Sequence, residues 1–537
     1  MTINKIYISN FKKFKNFKME FNPEMNILVG NNGSGKSTIL EAINIVLTGF
    51  YRGKAVRNEL SQDMFNRDVV SDYLSSVEEG GHPNLPSIVI ELYLSKVSEH
   101  LRGNNNSLKE DSEGLKYTIA FDEDFKEEYK EVLNQGYIKS IPIEYYTVFW
   151  ETFAEKQVTF RSIPVKTSFI DSTNYRYQNG FDVYISRIMK NLMSTREEVQ
   201  IMQAHRQMRE SFMEEKSIKD INTRIKENTK GSLGEVSISV ELGTKSAWET
   251  SLVTQLDKIS FDNIGRGSQC ILKTELALSE GIEQGKSNII LIEEPENHLS
   301  HSSMNRLINH ISSGAGPHQS IITTHSSFVT NKLGLDNIHL LSGPDLVQKL
   351  VTLDPDGFFK KRSGYDTLRI VLSKKVILVE GDSDDLIVQR AYKDKYRKFP
   401  LEDGVDVITV GTAFKRFLNI AKALEIQVHV VTDNDGDPER LEERYKEYDQ
   451  QGSIKIYYSK SINEKKSEYN NNTLEPLMVD ANSVELINDI MGMNKENRDE
   501  LVKYMMLNKV DCALKIFDSK NEIKYPDYIS EAIIFDQ

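Results

Sequence analysis

Along the first twenty-one residues, MTINKIYISNFKKFKNFKMEF, apolar and polar side chains alternate with the period of a strand. A second apolar run, MNILVG, enters a glycine-rich loop, and KSTILEAINIVLTGF follows with apolar residues at helical spacing. SIVIELYLS at 87–95 reads as another strand, and the polar RGNNNSLKEDSEG after it reads as a flexible stretch. From Asp182 to about Lys230 the pattern is polar, helical and free of glycine and proline. Its apolar residues are too sparse for a buried bundle. It predicts a projecting helical arm or dimer contact, with surface helices packed on the flanking unit as the competing reading. Strand character returns at 235–241, and a glycine-containing turn at 265–268 precedes the helix-like QCILKTELALSEGI. NIILIEEPE and SIITTH are short, fully apolar strands of the kind buried in a parallel sheet. Residues 342–366, with SGPD, DPDG and RSG, read as a linker. Beyond it, strands at 376–379, 405–410 and 427–432 alternate with helices at 384–397 and 412–424, which predicts a second, smaller α/β unit.

Composition narrows this picture a little. The chain of 537 residues is long for one domain. No run approaches the roughly 18 apolar residues of a membrane span, and the N-terminus lacks the continuous apolar core of a signal peptide. Cys270 and Cys512 stand far apart, so they offer neither a disulfide framework nor metal-ligand spacing. A cytoplasmic location, without membrane association, is the expectation. The net charge of −13 argues mildly against nucleic acid, whose binders neutralise phosphates, although clustered carboxylates that hold metal also add negative charge. The basic stretches at 11–15, 393–398 and 520–524 each read as solvated faces.

The chemistry begins at Gly30-Asn31-Asn32-Gly33-Ser34-Gly35-Lys36-Ser37-Thr38, which fits G-x-x-x-x-G-K-[ST] between a strand and a helix. Glycines let successive N–H groups face one anion, and the helix adds its positive end. Lys36 can reach the β- and γ-phosphates of ATP, and the Ser37 hydroxyl can ligate Mg²⁺. The strand NIILIEEPENHLS ends in Glu293, placed to hold Mg²⁺ through water, and Glu294, placed to orient or deprotonate the attacking water. His325 closes the next apolar strand, where it can sense the γ-phosphate.

The order of glycine loop, GRGSQ at 265–269, LIEEPENHL and ITTHS resembles the ATP-binding-cassette ATPases, nearest the chromosome-maintenance and recombination-repair subgroup. That resemblance implies two heads sandwiching ATP, with Gly267, Ser268 and Gln269 as the signature loop offered to the other head's nucleotide. Gln62 or Asp63 would be the metal-contacting loop. The carboxylate at the Mg²⁺ position is Glu293 where the family commonly has aspartate.

A second cluster of acids follows. VILVEGDSDD places Glu380 at a strand tip and Asp384 in the first turn of a helix, and VHVVTDNDGD places Asp433 and Asp435 at another tip. Carboxylates gathered there repel one another unless cations neutralise them, and hard oxygen ligands suit Mg²⁺ or Mn²⁺. A pair of such ions can hold both the attacking and the leaving oxygen of a phosphodiester. The competing reading is that acidic turns simply end strands. A calcium loop is excluded, because the twelfth residue from Asp433 is Arg444 where glutamate is required.

Apolar strand-E-G-x-x-D, the glycine turn at Val410-Gly411 and apolar strand-D-x-D together resemble the TOPRIM domain of topoisomerases, primases and some nucleases. An ATPase head followed by this domain resembles the OLD (overcoming lysogenization defect) family of ATP-powered endonucleases. The resemblance implies an α/β chain: an ABC-type ATPase head with a helical arm insertion, then a C-terminal TOPRIM Rossmann-like α/β domain. The expected boundaries are 1–170 and 231–345 for the ATPase, 171–230 for the arm, 346–372 for a linker and 373–537 for TOPRIM. It also implies further metal ligands at Thr473 and Glu475, and transition-state assistance from Lys509, with Lys515 as a substitute. An ATP- and Mg²⁺-dependent DNA endonuclease is the implied activity. A homodimer or higher assembly, a role in defence against phage, and a helicase-like protein or reverse-transcribed DNA as neighbour are implied with it. The alternatives are a DNA-clamping ATPase with a structural or regulatory TOPRIM domain, and strand passage or primer synthesis.

Overall fold

The computed structural model describes residues 1–95, 99–135, 138–159, 162–163, 165–171, 177–178, 181–182, 193–228, 255–279, 288–297, 299–313, 318–343, 347–349, 357–434, 436–449, 452–460, 469 and 472–535. They form two compact units, Met1–Thr324 with Leu341–Gln348, and His325–Leu340 with Lys349–Gln537. Among the described residues no helix is long and apolar enough to cross a membrane.

In the first unit, β1 (Thr2–Phe11), β2 (Phe14–Glu20), β3 (Met25–Gly30) and α1 (Lys36–Thr48) follow the expected order. They are joined by β4 (Ile88–Ser95), β5 (Ser112–Phe121), β6 (Tyr146–Thr152) and β7 (Lys166–Asp171). An antiparallel sheet runs β2-β1-β4-β5-β6. A bulge between Ile3 and Lys5 shifts the alternation by one, so Ile3, Ile6 and Ile8 all reach the core. Buried Gln319 serves that bulge: its side-chain oxygen accepts from Ile3 N–H at 2.7 Å, and its amide donates to Ile3 and Asn22 carbonyls at 2.9 and 2.8 Å.

Helices α2 (Thr195–Glu214), α3 (Lys216–Asn228) and α4 (Arg266–Ser279) precede β8 (Asn288–Glu293) and β9 (His318–Thr323). β7, β8, β9 and β3 pair in parallel, in that order. Their register aligns Asp171, Glu293 and Thr323, so the carboxyl ends share one edge with the loop after β3. Ile27–Val29, Ile289–Ile292 and Ile321–Ile322 are fully buried, which is why these strands read as continuous apolar runs.

Some expectations need correction here. Of the expected helical stretch, Thr195–Glu214 is helix, with Ser194 capping α2 reciprocally with Glu197, while Phe181–Asp182 pairs with Tyr177–Gln178 and residues 183–192 lie outside the described residues. The strand expected at 235–241 lies outside the described residues. The polar stretch near residue 105 is a built loop around the fully buried Glu91, which accepts from Ser107 N–H and hydroxyl at 2.9 and 2.8 Å and from Tyr93 at 3.1 Å.

The second unit contains α5 (Ser327–Leu333), α6 (Thr367–Leu372), β10 (Lys375–Val379), α7 (Asp382–Tyr396), β11 (Val405–Thr409), α8 (Phe414–Leu424), β12 (Gln427–Val431) and β13 (Ile454–Tyr457). Its parallel sheet has the order β11-β10-β12-β13. Among its later helices are α9 (Leu474–Ala481), α10 (Lys509–Asp518) and α11 (Asp527–Ala532). The second half of the expected linker is core: Phe359 is fully buried and meets Phe417 edge-on at 5.3 Å. Glycines and charges around FFKKRSGY hide that aromatic anchor from a pattern reading. Ser327–Leu333, expected with the ATPase, is hydrogen-bonded into this unit. Asn331 donates to Tyr365 and Ser363 carbonyls at 2.7 and 3.3 Å, Thr367 donates to Asn331, and Ser327 donates to Asp366.

Candidate active site: a phosphate cradle and an acidic centre

The loop after β3 turns on two glycines with positive φ, Gly33 at 73° and Gly35 at 103°. A Cβ on Gly35 would lie 2.4 Å from the buried Phe14 ring, so both conformation and space demand glycine there. Gly35→Ala should therefore cost about 2 kcal/mol and abolish nucleotide binding, read by thermal unfolding and titration with a fluorescent ATP analogue. Lys36 folds back to donate to Gly30 and Asn31 carbonyls at 2.9 and 3.3 Å, marking the space an anion would take. Burial lowers its pKa, while Glu294, Glu296 and Glu293 oppose that loss of charge. Asn31, Asn32 and Ser37 are exposed, whereas Ser34 and Thr38 are buried and the Ser34 hydroxyl has no partner among the described residues.

Glu293 ends β8, and Glu294 follows it with φ of 43°, a strained backbone for a non-glycine residue. The strain is held: Glu294 N–H donates to Thr323 carbonyl and hydroxyl at 3.0 and 3.2 Å, and Asn297 donates to the Glu294 carboxylate at 2.9 Å. Gly267, Ser268 and Gln269 lie within the first turn of α4, not in a turn before it. Ser268 is exposed, but Gln269 points inward, donating to Phe261 and Ile264 carbonyls at 2.9 and 3.3 Å. It shapes the loop and is not displayed to a ligand. Gln62 is likewise committed, its oxygen accepting from Ile141 N–H at 2.8 Å, while Asp63 is exposed. His325 is exposed and is the first residue of the C-terminal unit.

In that unit the carboxyl ends of β10 and β12 are adjacent, because Val379 pairs with Val431 in parallel register. Glu380 follows the first strand, and Asp433 stands two residues beyond the second. Asp384, at the third position of α7, accepts from Gly381 N–H at 3.0 Å. Glu475, at the start of α9, is buried; Thr473 donates to it at 3.1 Å and Lys509 lies 3.4 Å away. These carboxylates feel one another. Burial, then Asp384, Glu380 and Glu475, push Asp433 up to about 8. Burial, then Glu475 and Glu380, push Asp384 to about 6 against the Gly381 hydrogen bond. For Lys509, burial disfavours the charge, and Glu475, Asp433 and Asp384 outweigh it and raise its pKa.

Among the described residues no three His, Cys, Asp or Glu side chains stand as a ready-assembled ligand set. Asp435 lies outside those residues, and Lys509 engages Glu475. The donor set still fits a hard divalent cation, since every candidate is oxygen and a cation would offset both the burial and the neighbouring carboxylates that disfavour charge on Asp433 and Asp384. Lys515 is excluded as a substitute for Lys509, because it donates to Met491 carbonyl at 2.7 Å. Pattern reading missed two contributors. Asn434 is buried and donates to Ser459 carbonyl at 2.6 Å, fixing the acidic loop. Arg390 donates to Ile516, Phe517 and Ser519 carbonyls at 3.1, 2.7 and 2.6 Å, capping the helix whose other end presents Lys509. No local sequence signal marks either one.

Comparison with known proteins finds a domain match in each half of the chain. The family model for an AAA domain matches residues 5–259, and that for the overcoming lysogenization defect protein-like TOPRIM domain matches residues 371–435. The chain is similar to the chromosome segregation protein sudA of Emericella nidulans, 30% identical over 130 residues, 22% of this chain and 11% of that protein. It is similar to the DNA replication and repair protein RecF of Psychromonas ingrahamii, 31% identical over 107 residues, 20% of this chain and 28% of that one. The matches thus span well under a third of these relatives. A solved C-terminal region of the Xanthomonas campestris pv. campestris OLD protein is 22% identical with a TM-score of 0.24, covering 31% of this chain and 92% of that one. The chain is an ATPase joined to a TOPRIM domain. Its TOPRIM domain is of the overcoming lysogenization defect protein-like type.

Proposed function

We propose that the protein is a nucleotide-controlled, divalent-cation-dependent DNA endonuclease. The observation that carries this reading is the adjacency of the strand ends that lead to Glu380 and Asp433, with Asp384 and Glu475 on the first turns of helices near enough that, after burial, their charges help push Asp433 up to about 8. Glu380, Asp384, Asp433, Glu475 and Thr473, with Asp435, would hold Mg²⁺ or Mn²⁺. A cation bound there supplies Lewis acidity and lowers the pKa of a coordinated water. Lys509 offsets the negative charge that develops on the phosphate. In the other unit Lys36 and the loop amides bind the ATP phosphates, Ser37 and Glu293 hold the nucleotide's Mg²⁺, and Glu294 orients the water. Ser268 would complete the site across a homodimer.

DNA as the partner is supported by the relatives' names, a chromosome segregation protein and a DNA replication and repair protein. Defence against phage, a neighbour such as a helicase-like protein or reverse-transcribed DNA, and a cytoplasmic setting rest on the family resemblance. Incubation of the purified chain with supercoiled DNA, with and without ATP and across Mg²⁺ and Mn²⁺, tests the proposal. ATP hydrolysis without any cutting would favour the DNA-clamping reading.

A route for nucleotide control is supported by α5, which follows His325 and is hydrogen-bonded into the second half of the former linker. Thr367→Val removes one of those bonds and should leave ATP binding and nucleotide-free nicking in place. The ratio of nicking with ATP to nicking without it should move toward one. An unchanged ratio in parallel nicking assays removes α5 from the route.

A further inference from the structure

Tyr528 lies on α11, with 6% of its surface exposed and its ring within the core cluster that also holds Val379, Val431 and Leu474. Its hydroxyl is buried and has no hydrogen-bond partner among the described residues. Leaving such a group unpaired costs about 1–3 kcal/mol. The charges that act on it are those of Asp433, Asp384 and Glu475, in that order after burial, and together they keep the phenol proton in place well above the ordinary range. The hydroxyl is therefore a donor without an acceptor, set among carboxylates.

Those carboxylates are not equally provided for. Asp384 accepts from Gly381 N–H, and Glu475 accepts from Thr473 and pairs with Lys509. The Asp433 carboxylate has no hydrogen-bond donor among the described residues. The helix that carries Tyr528 is latched to the strand that leads to Asp433. His429, on β12, donates through Nδ1 to Ala532 carbonyl at 2.6 Å and stacks on Phe535 with ring centres 4.0 Å apart. One strand thus positions both the unserved donor and the unserved acceptor.

We propose that Tyr528 is a positioning residue of the acidic centre, whose hydroxyl, unpaired in the cation-free protein, donates to the Asp433 carboxylate when a divalent cation is bound and holds it toward that cation. This rests on the reading of the centre as a cation site. Outer partners of metal ligands commonly govern affinity by about 10- to 100-fold. The test is Mn²⁺ binding to the full-length chain without nucleotide, measured from the electron paramagnetic resonance of free Mn²⁺, for wild type, Tyr528→Phe and Asp433→Asn. Tyr528→Phe should weaken Mn²⁺ binding about tenfold while its metal-free melting temperature stays at or above that of wild type, because the oxygen removed had no partner. Nicking by this variant should fall at limiting Mn²⁺ and recover at saturation. Wild-type Mn²⁺ affinity in Tyr528→Phe, or a lowered metal-free melting temperature, overturns the assignment and leaves the cation site standing. If wild type and Asp433→Asn bind Mn²⁺ alike, the cation site itself fails and this inference goes with it.

Discussion

Asp433→Asn removes nicking of supercoiled DNA by about 10³-fold or more at neutral pH, while ATP hydrolysis by the other unit continues. The substitution keeps size and hydrogen-bonding capacity and deletes one charge from the tip of β12. A bound cation contributes several kcal/mol to stabilising the reacting phosphate, which corresponds to a rate factor of that order. The pH dependence follows from the same charge. In the cation-free chain Asp433 holds its proton to about 8 and Asp384 to about 6, against an ordinary 3.8 for each. The folded state then binds more protons than the unfolded chain, so cation-free stability falls as pH rises from about 4 to about 8. Cation affinity moves the opposite way, rising toward pH 8 as the competing protons leave. Asp433→Asn should flatten both trends and raise the cation-free melting temperature at pH 8 by several degrees. Calorimetric unfolding across pH 5–9, with and without Mn²⁺, reads both. Undiminished cutting by the variant would end the endonuclease proposal.

Lys36→Ala should lower ATP hydrolysis by about 10²- to 10³-fold, the cost of losing one preorganised donor to the transferring phosphate. The ammonium rests on the Gly30 and Asn31 carbonyls and is countered by Glu294, Glu296 and Glu293, while the other lysine at this loop, Lys13, donates to the Gly33 carbonyl from an exposed position. The variant keeps its fold, because the backbone turn depends on Gly33 and Gly35. Its nicking activity should persist yet no longer respond to ATP, which separates the two sites experimentally. Steady-state phosphate release alongside the nicking assay checks both halves. Hydrolysis at the wild-type rate would show that the loop is not the nucleotide site.

Much of this was legible because the signals are local. Strand-loop-helix at 25–48 and the three strands of the acidic unit were readable from runs of Ile, Val and Leu ended by glycine or acid, and the structure places them within about two residues. Gln269 reads as a ligand contact by its place beside Ser268, yet the first turn of α4 rotates it inward. The stretch containing Phe358, Phe359 and Tyr365 reads as linker because glycines and charges separate its aromatics, and Phe359 becomes core only when Phe417 arrives from over fifty residues away. The placement of Ser327–Leu333 in the C-terminal unit has the same origin, in hydrogen bonds to 363–367 that no nearby residue announces.

By itself the sequence determined the two chemistries, since a phosphate loop and acids at strand tips depend on neighbours within a few positions. Only the tertiary structure decided which groups serve each centre. Lys509 rather than Lys515, Arg390 behind it, and the burial of Tyr528 in the core that holds Val431 are choices made by packing between distant segments. Burial and the fields of neighbouring charges are set by what surrounds a side chain in space, and chain order carries no record of that.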